Sequence, residues 1–211
     1  MNPSWEAVLV AADAVAGDCG WLRDASGPRT QGRYLKELTD GFAAVVHVQP
    51  GEGSTISPDG ELTVGESVDI LVGATYLPGE RLLAGAGYRV AGEISDPAWD
   101  IDSHALSPQR LVGAGLTAAV NDAMVTAMVT AEQFSTAQAS PAAFVSALEL
   151  ELEDEWTEPQ DFVAIPAVLA AAGLHDQARV AMDRARLQVG QAVPDSFWTG
   201  LQTVIDAAPP S

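Results

Sequence analysis

Apolar residues first recur at helical spacing. Trp5, Val8, Leu9, Ala12 and Val15 fall on one face, Asn2 can cap the segment with Pro3 at its first position, and Gly17 is the expected stop. The period then shortens to that of strands. Residues 33–38 form a short candidate strand, and FAAVVHVQ, residues 42–49, is a continuous valine-rich run of strand length. PGEGSTISPDGE, residues 50–61, reads as a turn-rich excursion. In residues 62–76, Val64, Val68, Ile70 and Val72 alternate with Thr63, Ser67 and Asp69, as in a half-buried strand. A turn is expected at Pro78-Gly79, and Tyr88, Val90, Gly92 and Ile94 alternate again.

From Ser107 the helical period returns. Ser107-Pro108 is a cap followed by proline, and Leu111, Leu116, Ala119, Val120, Ala123, Met124, Ala127 and Met128 mark one long face. Ser140-Pro141 repeats that start signal, with Phe144, Leu148, Leu152 and Trp156 at four-residue steps to about Asp154. Residues 162–172 closed by Gly173, a tight turn at His175-Asp176 and residues 177–189 read as a helical hairpin in which Ala167, Ala170 and Ala171 can face Ala178, Ala181 and Ala185. A last helix, residues 196–207, carries Phe197, Trp198, Leu201 and Ile205. Strands followed by helices predict an α+β fold: an antiparallel sheet of 3–5 strands packed by an N-terminal helix, then a helical region. The expected division is 1–135 for the α+β domain, 136–208 for the helical region packed on it and 209–211 for a loose tail.

The order of several landmarks resembles a widespread bacterial family of small α+β proteins of unknown function. The matching features are Gly20-Trp21 at the start of the sheet, VVHVQ with Gln49 followed by Ser54, LTV at Leu62–Val64, a tryptophan turn at AWDI, residues 98–101, and the hairpin AGLHDQA, residues 172–178. The Gln-Ser step is stretched here by a glycine-rich insertion. The resemblance implies the fold; it brings no activity and no catalytic residues.

A chain of 211 residues can bury roughly 70% of its unfolded surface, so size alone demands neither metal nor disulfide. Cys19 is the sole cysteine and cannot form an internal disulfide, which with the absence of a basic, apolar leader makes the cytoplasm the expected compartment. The segment 111–131 has the length of a membrane span, but Asn121, Asp122, two glycines and three threonines favour a buried core helix. The formal charge is −19, with Lys36 the only lysine. Such a field repels nucleic acid and anionic membranes and speeds encounter with basic partners.

Few motifs carry chemistry. DIDSH places Asp100, Asp102 and His104 at alternate positions, an oxygen and imidazole set suited to Mn, Fe or Zn if the segment is extended. A polar loop after Trp99 is the alternative. GAGLTA, residues 113–118, has dinucleotide-turn spacing but follows a helix start rather than a strand, so no cofactor is expected. No nucleophile, base and orienting group stand out, and the tryptophans read as packing.

LELELEDEWTEPQDF, residues 148–162, holds seven acids and no base: Glu149, Glu151, Glu153, Asp154, Glu155, Glu158 and Asp161, with Trp156 among them. At the C-terminal end of a helix these carboxylates oppose the macrodipole, each at about 0.3–1 kcal/mol at most. Glu149/Glu153 and Glu151/Glu155 would also be repelling pairs one turn apart. As an edge strand, the same LELELE would line its glutamates along one side. The unfavourable placement favours a surface that holds a basic partner, with a tolerated solvent face of an acidic composition as the alternative; the expected function is a non-catalytic binding protein, of the immunity or antitoxin kind, that inhibits a basic toxin or nuclease. Two readings stay open beside it: a metal-dependent or small-ligand enzyme using Asp100, Asp102 and His104, and a helical scaffold whose hairpin presents a groove.

Overall fold

A computed structural model describes residues 5–24, 31–51, 54–56, 62–64, 67–87, 94–102, 114–152, 161–190 and 193–207. The fold is α+β. Helix α1 (Trp5–Asp18) precedes β1 (Leu22–Arg23), β2 (Gly32–Thr39), β3 (Phe42–Pro50), β4 (Ser54–Ile56), β5 (Leu62–Val64) and β6 (Ser67–Tyr76). Then come α2 (Leu77–Gly85), β7 (Ile94–Asp102), α3 (Ala114–Ala137), α4 (Pro141–Glu151), a 3-10 turn (Asp161–Val163), α5 (Ala164–Ala171), α6 (His175–Val189) and α7 (Asp195–Ala207). The main antiparallel sheet has the order β1-β2-β3-β6-β7.

Several expected boundaries shift, each for a local reason. Gly17 does not stop α1; the helix closes at Gly20, which takes φ +74° while Trp21 N–H donates to the Ala16 carbonyl (2.8 Å) and Gly20 N–H to that of Gly17 (3.1 Å). The excursion 50–61 is not turn alone: Ser54, Thr55 and Ile56 pair antiparallel with Val64, Thr63 and Leu62. The strand expected over 62–76 is accordingly two strands, β5 and β6. Pro78-Gly79 opens α2 instead of a turn, since proline in a first helical turn gives up no needed donor, and Leu77 N–H is taken by the Gly41 carbonyl at 2.9 Å. The tryptophan turn and polar loop expected around Trp99 are instead strand β7, whose place at the end of the strand order admits Pro97 without loss of an interior ladder bond. His175-Asp176 begins α6, and the turn lies just before it: Gly173 at φ +77°, with Leu174 N–H on the Leu169 carbonyl and Gly173 N–H on that of Ala170, both 2.9 Å.

The chain divides into two compact units, one of residues 1–38, 44–73 and 95–136, the other of residues 39–43, 74–94 and 137–211. The second unit thus takes in α2 and the β2–β3 loop as well as the C-terminal helices. In the first unit, Trp5, Val8, Leu9 and Ala12 of α1 pack with Tyr34, Val46, Val48, Val68 and Ile70 of the sheet and with Val120, Met124, Ala127, Met128 and Ala131 of α3. The apolar stripe of the segment 111–131 is therefore core packing where it is described. Among the described residues no helix is long and apolar enough to cross a membrane.

Burial in the first unit includes a polar tie at Tyr34. Tyr34 is fully buried, and its hydroxyl donates to Asp13 (2.8 Å), whose other oxygen accepts from Arg23 (2.9 Å). Burial first, then this hydrogen bond and the Asp13 charge, push the phenol well above its ordinary value. A pKa raised on folding stabilises the protein fully below the unfolded value of about 10, and the contribution is lost as pH rises beyond it. Urea midpoints are therefore expected to fall above about pH 10, with a shallower fall in Tyr34→Phe. Equal slopes for the two chains would count against this tie.

In the second unit α5 is apolar on every side, and Ala164 to Ala170 are all buried, as a helix without a polar face requires. Gly79 of α2 sits where an added Cβ would meet Val168 at 3.3 Å, so glycine permits the close approach of α2 to α5. The α5 and α6 hairpin packs through small residues, with Ala167, Ala170, Ala178 and Ala185 buried. Phe42 stacks on Tyr76 at 4.5 Å and tilts against Phe144 at 5.8 Å.

Candidate functional site

Helix α4 carries the start of the acidic run. Ser140 caps it, accepting from Ala143 N–H at 3.3 Å, with Pro141 at the first position as expected. Phe144 and Leu148 turn inward and are buried, which leaves Glu149 and Leu150 on the outer side, both exposed. The helix ends at Glu151 with Leu152 as its cap residue, short of Asp154. Residues 148–151 are thus helical, and the edge-strand alternative for LELELE is overturned: Leu148 and Phe144 bury at a four-residue step, which a two-residue period cannot provide. No basic residue stands in the last turn, so Glu149 meets the negative end of the helix dipole. Glu153, Asp154, Glu155, Trp156 and Glu158 lie outside the described residues, and with them the expected one-turn pairs Glu149/Glu153 and Glu151/Glu155. Asp161 opens the 3-10 turn before α5.

Beside Glu149 the second unit has a groove of about 700 Å³. Val145, Glu149 and Leu152 line it from α4, Ile165 and Leu169 from α5 with Phe162 before it, and Val180, Ala181, Arg184 and Gln188 from α6. Its floor is apolar because α5 has no polar face to offer. Charge stands at the walls. Leu152 and Phe162, which bracket the rest of the acidic run in the chain, both line this groove.

Most cations of α6 are engaged. Arg179 donates to Asp176 and to Asp206, each at 2.9 Å, and the bond from Arg179 holds the Asp206 carboxyl below its ordinary value. Arg186 donates to Asp195 at 2.6 Å. Among the described residues neither Arg184 nor Glu149 has a hydrogen-bond or ion-pair partner. Asp176 of α6 also lines the groove but is bonded to Arg179, which leaves Glu149 and Arg184 as the unpaired charges there among the described residues.

The other expected set is less defined. Asp100 and Asp102 fall on β7 two residues apart, while His104 lies outside the described residues. Among the described residues no group of three or more His, Cys, Asp or Glu could hold a metal ion. Cys19 is exposed, and Trp5, Trp21 and Trp198 are core side chains whose indole N–H groups have no partner among the described residues. Sequence reasoning reached Glu149 but missed Val145, Leu169, Val180, Arg184 and Gln188. The signal available was Val180, Ala181, Arg184 and Gln188 on one side of α6, which marks a face without saying that it borders a groove. No family model matches the chain, and no curated protein and no solved structure matches it.

Proposed function

We propose that the protein is a non-catalytic binding protein that holds a basic protein segment at the acidic end of α4, in the manner of an immunity or antitoxin-like inhibitor of a basic toxin or nuclease. One observation carries the reading: Glu149, exposed in the last turn of α4 and without a partner among the described residues, stands on the wall of an open apolar groove. A carboxylate there opposes the helix dipole at a cost of about 0.3–1 kcal/mol, which solubility alone does not require. The groove supplies apolar contact that charge alone lacks, and a binding surface draws its affinity from such buried anchors while its charges steer encounter and fix register. The charge of −19 accelerates the approach of a cationic partner.

The test is affinity capture from cells that make the protein. Basic proteins are expected on the immobilised chain at low salt, released as ionic strength rises past the range where the Debye length falls below about 8 Å. Recovery of no basic protein at low salt would sink the proposal.

A further inference from the structure

Helix α6 offers solvent two apolar side chains that its own unit leaves uncovered: Val180 is 63% exposed and Leu187 is 85% exposed. Seven residues apart, they lie about two turns from one another along one line of the helix. That line borders the groove, whose α6 wall includes Val180 itself with Arg184 and Gln188. Leu150 of α4 adds a third uncovered apolar side chain at 69% exposure.

The charges are placed in a matching way. Glu149 belongs to the α4 wall and Arg184 to the α6 wall, and among the described residues each lacks a partner, whereas Arg179 and Arg186 are bonded to carboxylates. Asp176, also on the α6 wall, is taken up by Arg179, so among the described residues an unpaired carboxylate on one wall and an unpaired guanidinium on the other can pair reciprocally about a two-fold axis. A purely basic ligand would leave Arg184 facing like charge. We infer that a second copy of this chain covers the groove: Val180 and Leu187 of each copy enter the groove of the other, and Arg184 of each meets Glu149 of the other. The inference goes beyond the partner reading and stands without it. Both use Glu149, so a second copy and a basic partner compete for the groove.

Two chains of charge −19 repel at long range, and salt screens that repulsion more than it weakens a close ion pair. Self-association is therefore expected to strengthen with salt, opposite in sign to capture of a basic partner. The experiment is sedimentation equilibrium of the full chain over a range of concentration and salt. A dimer favoured by salt is expected, weakened about tenfold or more by Leu187→Asp, by Glu149→Arg and by Arg184→Glu, and restored in the Glu149→Arg/Arg184→Glu double exchange. These side chains are exposed, so circular dichroism should be unchanged; Val180→Gln is the second variant if Leu187→Asp fails to fold. A monomer at every concentration and salt overturns the inference, as does a dimer indifferent to the α6 substitution or one that the double exchange does not restore. Capture of basic proteins repeated with Leu187→Asp, a residue outside the groove lining, reports on the partner reading separately.

Discussion

Phe144→Ala is expected to lower stability by about 3–5 kcal/mol, the range for truncating a buried aromatic ring. Phe144 is fully buried and tilts against Phe42, which in turn stacks on Tyr76, so truncation removes a ring contact and leaves a cavity that two neighbouring rings cannot readily fill. Against a typical total of about 5–15 kcal/mol the loss is severe. The urea midpoint should drop with little change in slope, and Phe144→Leu should retain much of the lost stability. The substitution also reaches the site. Phe144 and Leu148 are the buried side chains of α4, and their seating fixes which way Glu149 faces. A loss below about 1 kcal/mol would mean that α4 is not anchored this way.

Gly41→Ala should cost roughly 2–4 kcal/mol, for two reasons that add. Asp40 and Gly41 form the two-residue loop between β2 and β3, and both have positive φ, 48° and 82°, the conformation of the tight hairpin turn whose twist suits paired strands. Aspartate tolerates that region; alanine does so only under strain. In addition, a Cβ on Gly41 would stand 2.8 Å from Cδ and 2.9 Å from Cγ of Pro78, so the ring that opens α2 would have to move. Gly17→Ala is the control. It lies inside α1 with nothing within 4 Å of an added Cβ, and should raise stability by about 0.5–1 kcal/mol. Similar effects at the two glycines would contradict the assigned turn.

Gly41 also illustrates what was legible. Residues 42–49 were readable as a strand from their valines alone, whereas Asp40-Gly41 between two strand-like runs is a strong short-range hairpin signal that went unread. Ser140-Pro141 gave away the start of α4, because the cap is a local hydrogen bond. Glycine and proline positions misled where the outcome depended on distant packing. Pro78-Gly79 suits a turn or a helix start, and the choice fell to helix because Gly79 lets α2 approach Val168. Gly17 looked like a stop, but Gly20 supplies the positive φ that ends α1. In LELELE two periods compete, and burial of Phe144 and Leu148 decides for the helix. The groove was the least legible feature. It exists because α4 and α6 flank the apolar α5, and no single segment encodes which of its neighbours will leave a gap. Arg184 reads like Arg179 and Arg186 in sequence; only the carboxylates of Asp206 and Asp195 set it apart.

The claim that the acidic run exists to hold a basic partner is tested most directly by neutralising it. In a chain with Glu149, Glu151, Glu153 and Glu155 changed to Gln and Asp154 to Asn, urea stability and affinity for a captured basic protein are measured side by side. Stability equal to or higher than that of the native chain, by a few tenths to about 1 kcal/mol, is expected because like charges are removed and Glu149 no longer opposes the helix dipole, together with loss of binding. Binding retained at native strength, with the same dependence on salt, would contradict the claim.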